Sequence, residues 1–561
     1  MEKKSSIQST KKLQALKNED KKYPFRNEDL WALQHLNLDP KEKKMAWDKF
    51  IKDLYKTFHW AFSGKIKIIN YDLEKMKKRI LKKTKGFKTI SLDPCVQGDY
   101  NLYISRVFLP GGKKDVGIMG RPGFGSIEQQ LRQIPPRNYI VMEDDIFSGG
   151  TIVRILEIFK SNGINVLEIL TGIQVGKPTS VNIPISSLEK YSSDEVIDLN
   201  DPRDFLAGSF GGGLVIQYPD GLVRAPYVLP FVDTHARSSI PKEKVLEFSK
   251  KIWELNIAFW QNFPHIEVND GEKYFAKMLA KIGYSGKEKI IDVCKDMLRL
   301  LNFPDEPPKT KTEKGIIFID LNDTLIDNDN KLTLSVDKLK TVILKAQEKS
   351  WGIGLCSDSP EEPLKNWAQD HGIDGPVIFE NGQSVSQEKL DTDNIKKIIE
   401  AWAKDNEVEI LPEALAPEFG GKILGSGVAI GLGRNFSVSI FCQKNNLPDL
   451  LLSEKLGSYL KDKLKNISVD ISPEYGFIGI HSSDYRQMKG KALRAIGWAL
   501  YRENKACWML GNSISDATQA PALCGFGAVA NASDLAKNMA DIIAKGSFTE
   551  GVIELIENII G

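Results

Sequence analysis

The spacing of apolar and polar residues divides the chain into helix-patterned and strand-patterned stretches. Between residues 24 and 85, aromatic residues alternate with lysines at helical spacing, as in MAWDKFIKDLYKTFHWAF, which predicts a helical lead-in packed on the next domain. From about residue 86, short apolar runs separated by loops predict strands, and this mixed pattern lasts to about 240. Pro241 opens a helix-patterned segment in which Val245, Phe248, Ile252, Leu255 and Trp260 fall on or near one face, and proline suits a first turn. A second helix is expected over about 287–301. The segment FPDEPPKTKTEK, 303–314, combines prolines with charges and has almost nothing to bury, so it reads as a linker. The expected divisions are a basic arm and helical lead-in over 1–85, an α/β domain over 86–240, a helical extension over 241–302, the linker, and a second α/β domain over 315–561.

Candidate chemistry concentrates at the ends of two apolar runs. The first, Tyr139 to Met142, predicts a short buried strand, and IVRILEIF from Ile152 to Phe159 has the spacing of a helix that follows it. Glu143 and Asp144 end the strand as two acceptors at the spacing of a pair of ribose hydroxyls. Ser148, Gly149, Gly150 and Thr151 then occupy a strand-to-helix turn, where free backbone N–H groups and hydroxyls hold a phosphate at the positive end of the helix. Open α/β sheets bind ligands at that edge. The plainer alternative is an acidic strand end followed by a helix that Ser148 or Thr151 caps.

The stretch 139–151 resembles the signature of the type I phosphoribosyltransferases. The resemblance implies that Glu143 and Asp144 bind the ribose hydroxyls of phosphoribosyl pyrophosphate, and that Phe147, Ser148, Gly149, Gly150 and Thr151 take its 5′-phosphate. Displacing pyrophosphate from the ribose builds positive charge on the sugar, so such an enzyme needs magnesium, cationic side chains around pyrophosphate and exclusion of water. Arg106, at the end of the apparent strand YIS, and Arg121, in the glycine loop GRPGFGS, are the expected pyrophosphate ligands; Lys113 and Lys114 read as a solvated hairpin tip. The stretch RDFLAGSFGGG, 203–213, resembles the part of purine phosphoribosyltransferases in which a Phe stacks on the base. Phe205 matches that position, although Gly212 stands where those enzymes have Asp. An aromatic residue that anchors the glycine loop is the equal alternative, and the acceptor base stays unidentified.

The second run, Gly315 to Ile319, places Asp320 at the end of another buried strand. Here the chain resembles the haloacid dehalogenase superfamily, closest to its Cof-type branch. LCSDSP at 355–360, VIFENG at 377–382, Lys489 and GNSISDA at 511–517 follow the family motifs in order. The resemblance implies that Asp320 is the nucleophile, that Ser357 and Lys489 hold phosphate, and that Asp320, Asn512 and Asp516 hold Mg2+. Asn322 occupies the acid/base position and cannot give or take the proton. Asn512 replaces an Asp of the metal motif. Asp323 lies where the family has Gly and is expected to point away from the site. An insert over about 384–485 suggests a small α/β cap, with strands in FSVSIFC and GFIGIHS.

Together the resemblances imply an α/β chain of two Rossmann-like domains, a phosphoribosyltransferase fold and a haloacid dehalogenase fold with a small α/β cap, plus helical N-terminal and connecting segments. The expected function is Mg-dependent transfer from phosphoribosyl pyrophosphate to an unknown base, giving a nucleotide-like product, with a second domain that hydrolyses or senses a phosphorylated small molecule. A regulatory, stress or defence effector, in which an impaired phosphatase domain binds a nucleotide and controls the transferase, is the alternative. A third is a pair of pure binding domains. The 561 residues exceed one core's worth of chain. A net charge of +2 does not indicate nucleic acid as a partner. Six scattered cysteines and six scattered histidines form no CxxC or HxxxH pair, so disulfides and zinc have no support. The first 22 residues carry seven lysines and no signal-like apolar stretch. No membrane span is expected, the chain reads as cytoplasmic, and a homo-oligomer stays open.

Overall fold

The computed structural model describes residues 21–561 apart from Glu28, Cys95, Lys113, Ser148, Thr179, Gly283, 304–311, 386–389, 417–418, 420, 466, 483–484 and 518–519. The chain forms two compact units that meet in sequence between Leu301 and Asn302. The lead-in, the first α/β segment and the helical extension therefore share one unit. Of the expected linker, 304–311 lie outside the described residues.

The lead-in is less helical than its pattern predicts. Strand β1 (Lys21–Asn27) pairs in parallel with β2 (Ile66–Asp72), and the helix Pro40–Ala61 lies between them in sequence. Alternating apolar positions in IKIINYD carry the signal for β2. Burial explains why these pieces join the first unit. Tyr23 and Phe25 of β1 pack on Phe58 of that helix, with ring centroids 4.9 Å apart in both cases, and Phe58 packs in turn on Phe205 and Phe248. On the helix Val245–Trp260 the expected Val245, Phe248, Ile252 and Trp260 are buried, while Leu255 is only partly so.

Nine further strands build two sheets. They are β3 (Thr89–Ser91), β4 (Tyr100–Asn101), β5 (Ile104–Phe108), β6 (Asp115–Gly120), β7 (Asn138–Ile146), β8 (Asn165–Val175), β9 (Ile185–Tyr191), β10 (Leu214–Tyr218) and β11 (Gly221–Ala225). Strands β4-β3-β7-β8-β9 form an all-parallel sheet, and β11-β10-β5-β6 form a second sheet. The run Tyr139–Met142 is unbroken by polar residues because both faces of β7 are covered. Tyr139 and Val141 meet Ile152, Ile155 and Phe159 of the helix Gly150–Ser161; Ile140 and Met142 meet Leu73, Met76 and Ile80 of the helix Leu73–Lys83.

In the second unit β12 (Gly315–Ile319), β13 (Trp351–Cys356) and β14 (Val377–Ile378) precede an inserted cap. The cap holds β15 (Gly427–Ile430), β16 (Val438–Lys444), β17 (Leu447–Pro448), β18 (Ile467–Ser472) and β19 (Phe477–Ser482). The chain then returns through β20 (Ala506–Gly511), β21 (Gly525–Ala528) and β22 (Ile542–Ile543), and the core sheet β14-β13-β12-β20-β21-β22 is parallel throughout. The cap sheet is antiparallel, and the helices Thr392–Asp405 and Leu450–Lys463 bury Ile399, Trp402, Leu456 and Leu460 against Val428, Ile440 and Ile480. No helix among the described residues is long and apolar enough to cross a membrane.

Candidate functional site

At the carboxyl ends of β3 and β7 in the first unit lies a cavity of about 420 Å³. It is lined by Arg106, Arg121, Glu143, Asp144, Phe147, Gly149, Gly150 and Thr151, so the structure brings these sequence-predicted residues together. Ser148 lies outside the described residues, as does Lys113. Gly149 is the N-cap of the helix Gly150–Ser161, which overturns the reading of Thr151 as cap. Its φ is +77°, and a Cβ there would sit 2.8 Å from Pro178 Cβ, so the turn requires glycine. Arg106 lies within β5, which runs on to Phe108, rather than at a strand end.

Phe205 does not line the cavity. It is fully buried, packed edge-on against Phe58 and Phe248, and this corrects its expected role as a base-stacking platform. The residue anchors the loop instead. Gly212 leaves no room for a side chain, since a Cβ there would lie 2.3 Å from both the Arg203 carbonyl and Ser209 Oγ.

Sequence reasoning missed the charges that reach the cavity from elsewhere. Arg26 of β1 is buried and ion-paired with Asp144 and Asp145, and its Nε lies 2.8 Å from Asp201 Oδ1. Arg203 Nη2 takes the other oxygen of Asp201 at 2.8 Å. Arg224 donates to the carbonyls of Gly211 and Gly212 at 2.8 and 3.2 Å and so holds the glycine loop; burial lowers its pKa to about 10. Arg106 and Arg237 lie over the Phe108 ring, 5.7 and 4.3 Å from its centroid. Burial pushes the Glu143 carboxyl well above the usual range, and Asp144, Asp93 and Asp145 add to the effect. Its buried Oε2 has no hydrogen-bond partner among the described residues. An acceptor in that state is costly unless a proton or a ligand hydroxyl meets it.

The second unit gathers its acidic residues at the carboxyl ends of β12 and β20. Asp320 follows β12 directly, and Thr324 Oγ1 stands 3.1 Å from both Asp320 Oδ2 and Asn512 Oδ1. Asp516 Oδ2 accepts from the backbone of Asn512 and Ser513 at 3.1 and 2.9 Å and from Ser513 Oγ at 2.9 Å, which fixes the loop after β20. Ser357 follows β13, buried, with its Oγ 3.0 Å from Ser359 Oγ. Lys489 belongs to the helix Tyr485–Arg502, and its side chain lies outside the described residues.

A second cavity, of about 550 Å³, opens between Asn322 and the cap. Asp323 lines it beside Asn322, against the expectation that it faces away, and its φ of +55° takes up the place of a glycine. The fully buried Glu380 fastens the cap entry: it accepts from the backbone of Asn435 and Phe436 at 2.9 and 3.0 Å and from Ser437 Oγ at 2.6 Å. Arg434 reaches back to Asp358, with Nη2 3.3 Å from Oδ2.

The second unit is thus a parallel α/β core with an acidic residue past a central strand and an inserted cap. Residues 317–415 match the haloacid dehalogenase-like hydrolase family, so the second unit carries a domain of that class. Among solved structures, a haloacid dehalogenase-like hydrolase from Bacteroides thetaiotaomicron is 19% identical, covering 44% of this chain and 99% of its own, with a TM-score of 0.34. One from B. subtilis is 16% identical with the same 44% and 99% coverage and a TM-score of 0.31. No curated protein matches the chain.

Proposed function

We propose that the first unit is a magnesium-dependent phosphoribosyltransferase and that the second hydrolyses or senses its phosphorylated product. The observation that supports transfer is the convergence of Glu143, Asp144, the turn 149–151, Arg106 and Arg121 on one cavity at the end of a parallel sheet. In this reading Glu143 and Asp144 orient the ribose, the turn at the start of the helix holds the 5′-phosphate, and the two arginines draw pyrophosphate away. The bond from ribose C1 to the pyrophosphate oxygen breaks, a bond from C1 to the acceptor forms, and the acceptor's proton passes to a cavity carboxylate.

Among the described residues no group of three or more Asp, Glu, His or Cys is arranged to hold a metal ion. Magnesium in the first unit would therefore be carried largely by pyrophosphate oxygens. In the second unit Asp320, Asp516 and the Asn512 amide oxygen supply the oxygen donors that suit it, with Asp320 Oδ2 and Asn512 Oδ1 already facing the same hydroxyl. A bound magnesium ion would neutralise phosphoryl oxygens there. Asp320 would attack phosphorus, and Asn322 leaves the departing oxygen without its usual proton donor.

The replacement of two carboxylates by Asn322 and Asn512 also favours a second reading, in which the second unit binds a nucleotide and controls the first. One experiment separates the two. The full chain is incubated with phosphoribosyl pyrophosphate, magnesium and a mixture of bases, and products are identified by mass. A nucleotide product supports transfer with a sensing second unit, and a nucleoside supports both chemical steps. No release of pyrophosphate with any base would overturn the transferase reading.

A further inference from the structure

The cap cavity draws its lining from both the core and the cap. Its core-side lining is polar: Asn322 and Asp323 follow Asp320 closely in the chain, and Asp358 and Ser359 follow Ser357. Its cap-side lining combines Phe441, Phe477, Tyr475 and Ile423 with the polar Arg434, Gln443, Asn446 and Ser472. Phe441 and Phe477 pack with ring centroids 5.6 Å apart and belong to a small cluster with Ala416 and Ala429. Tyr475 is 54% exposed and stands outside that cluster. A solvent-exposed aromatic residue that shares a cavity lining with two phenylalanines offers a flat face on which a planar ring can stack.

Polar groups at the rim fit the same picture. Asn446 Oδ1 accepts from Gly425 N at 2.6 Å, and Gln443 shares the lining with it. The volume, about 550 Å³, falls in the range of small-molecule sites, roughly 300 to 1,000 Å³.

Resting on the reading of Asp320 and Ser357 as a phosphate site, we infer that the second unit takes a phosphate monoester whose alcohol carries a flat heteroaromatic ring, a nucleoside 5′-monophosphate in class. The phosphate sits over Asp320 and Ser357, the ribose crosses beside Asn322, and the base lies on Tyr475 and Phe477 with its edge toward Asn446 and Gln443. Stacking on aromatic side chains tolerates different bases, because every base has a π-face. The site then selects nucleotides over plain sugar phosphates without selecting one base strongly.

The test uses the full chain carrying Asp320→Asn, so that no ligand is consumed, and calorimetry with adenosine 5′-monophosphate and with ribose 5-phosphate. Heat that disappears on Ser357→Ala is assigned to the second unit. The nucleotide should bind there about 10-fold or more tightly than ribose 5-phosphate, given stacking of the usual strength. Tyr475→Ala combined with Phe477→Leu should remove that advantage and leave ribose 5-phosphate unchanged; the exposed Tyr475 also allows the single Tyr475→Ala to be read if the pair misfolds. Equal affinity of the two ligands, or a nucleotide affinity indifferent to Tyr475→Ala, overturns the inference while the phosphate site stands. If neither ligand gives heat sensitive to Ser357→Ala, the phosphate-site reading fails and the inference fails with it.

Discussion

Arg26 on β1 is ion-paired with Asp144 at the end of β7, 118 residues further along the chain. The pair is buried, and Asp145 and Asp201 share the same guanidinium. A strand from the lead-in thus completes the charge balance of a cavity whose other walls come from residues 90–240. In the proposed reading a ribose hydroxyl that approaches Asp144 must share it with Arg26, whereas Glu143 Oε2 has no hydrogen-bond partner among the described residues.

Removing the cation should be costly. Arg26→Met would leave three carboxylates without their shared partner, and breaking a buried pair costs about 3 to 5 kcal/mol. Calorimetric melting of the full chain should show the transition of the first unit move down by several degrees while that of the second holds. Identical melting curves would mean that Arg26 does not hold the carboxylates together in solution.

For the proposed phosphoribosyl site, Glu143→Gln with Asp144→Asn should weaken phosphoribosyl pyrophosphate by well over tenfold. Two hydrogen bonds to charged acceptors are weakened, and such bonds contribute about 1.5 to 3 kcal/mol each. Titration calorimetry on the folded double variant checks this. Affinity equal to wild type would remove ribose binding from these residues.

What was legible in the sequence is what is local. The unbroken apolar run of β7, its acidic end and the glycine turn all fall within thirteen residues, and strand-end motifs in the second unit are equally compact. Arg26, Arg203, Arg224 and Arg237 reach the first cavity from scattered segments, and nothing in the spacing marks them among 76 Lys and Arg. β1 was hidden by Pro24 and by two lysines, because parallel pairing with β2 buries only the middle of the strand. Phe205 misled for a related reason: an aromatic residue in a glycine-rich loop has the same local pattern whether its ring faces a ligand or the core.

That correction can be tested directly. Phe205→Ala should destabilise the first unit by about 3 to 5 kcal/mol, as expected for a buried phenylalanine. Phe205→Leu should recover most of the loss and bind phosphoribosyl pyrophosphate as wild type does. Discrimination among bases that changes on Phe205→Leu would restore its stacking role.

Asp198 makes a pH-dependent contribution. Burial raises its carboxyl to about 6, against hydrogen bonds from Leu199 N and Ser239 Oγ that favour the charged form. A raised carboxyl contributes stability that is fully present below the unfolded value near 4 and is lost as pH rises through about 6. Asp198→Asn should therefore stabilise the first unit at pH 8, on the order of 2 kcal/mol, and give no gain near pH 4. A gain that is the same at both pH values would assign the effect to packing.

The altered site of the second unit gives the sharpest expectation. In the proposed phosphatase reading Asn322 takes the acid/base position, so the leaving oxygen departs unprotonated, and loss of such a group slows a reaction by a factor of about 100 to 10,000. In the same reading Asn512 gives the magnesium donors one negative charge fewer than an Asp there would. Alkyl phosphates should turn over slowly, and aryl phosphates, whose leaving groups need no proton, should suffer least. Asp323 lines the same cavity next in sequence to Asn322, and burial raises its carboxyl, which suits it as a substitute acid. Asn322→Asp with Asn512→Asp should raise alkyl phosphate turnover by tenfold or more, and Asp320→Asn should abolish it. If the wild-type chain already hydrolyses alkyl phosphates at about 1 to 1,000 per second, Asp323→Asn decides the cause. A collapse of that rate would make Asp323 the working acid, and an unchanged rate would show that Asn322 is no impairment at all.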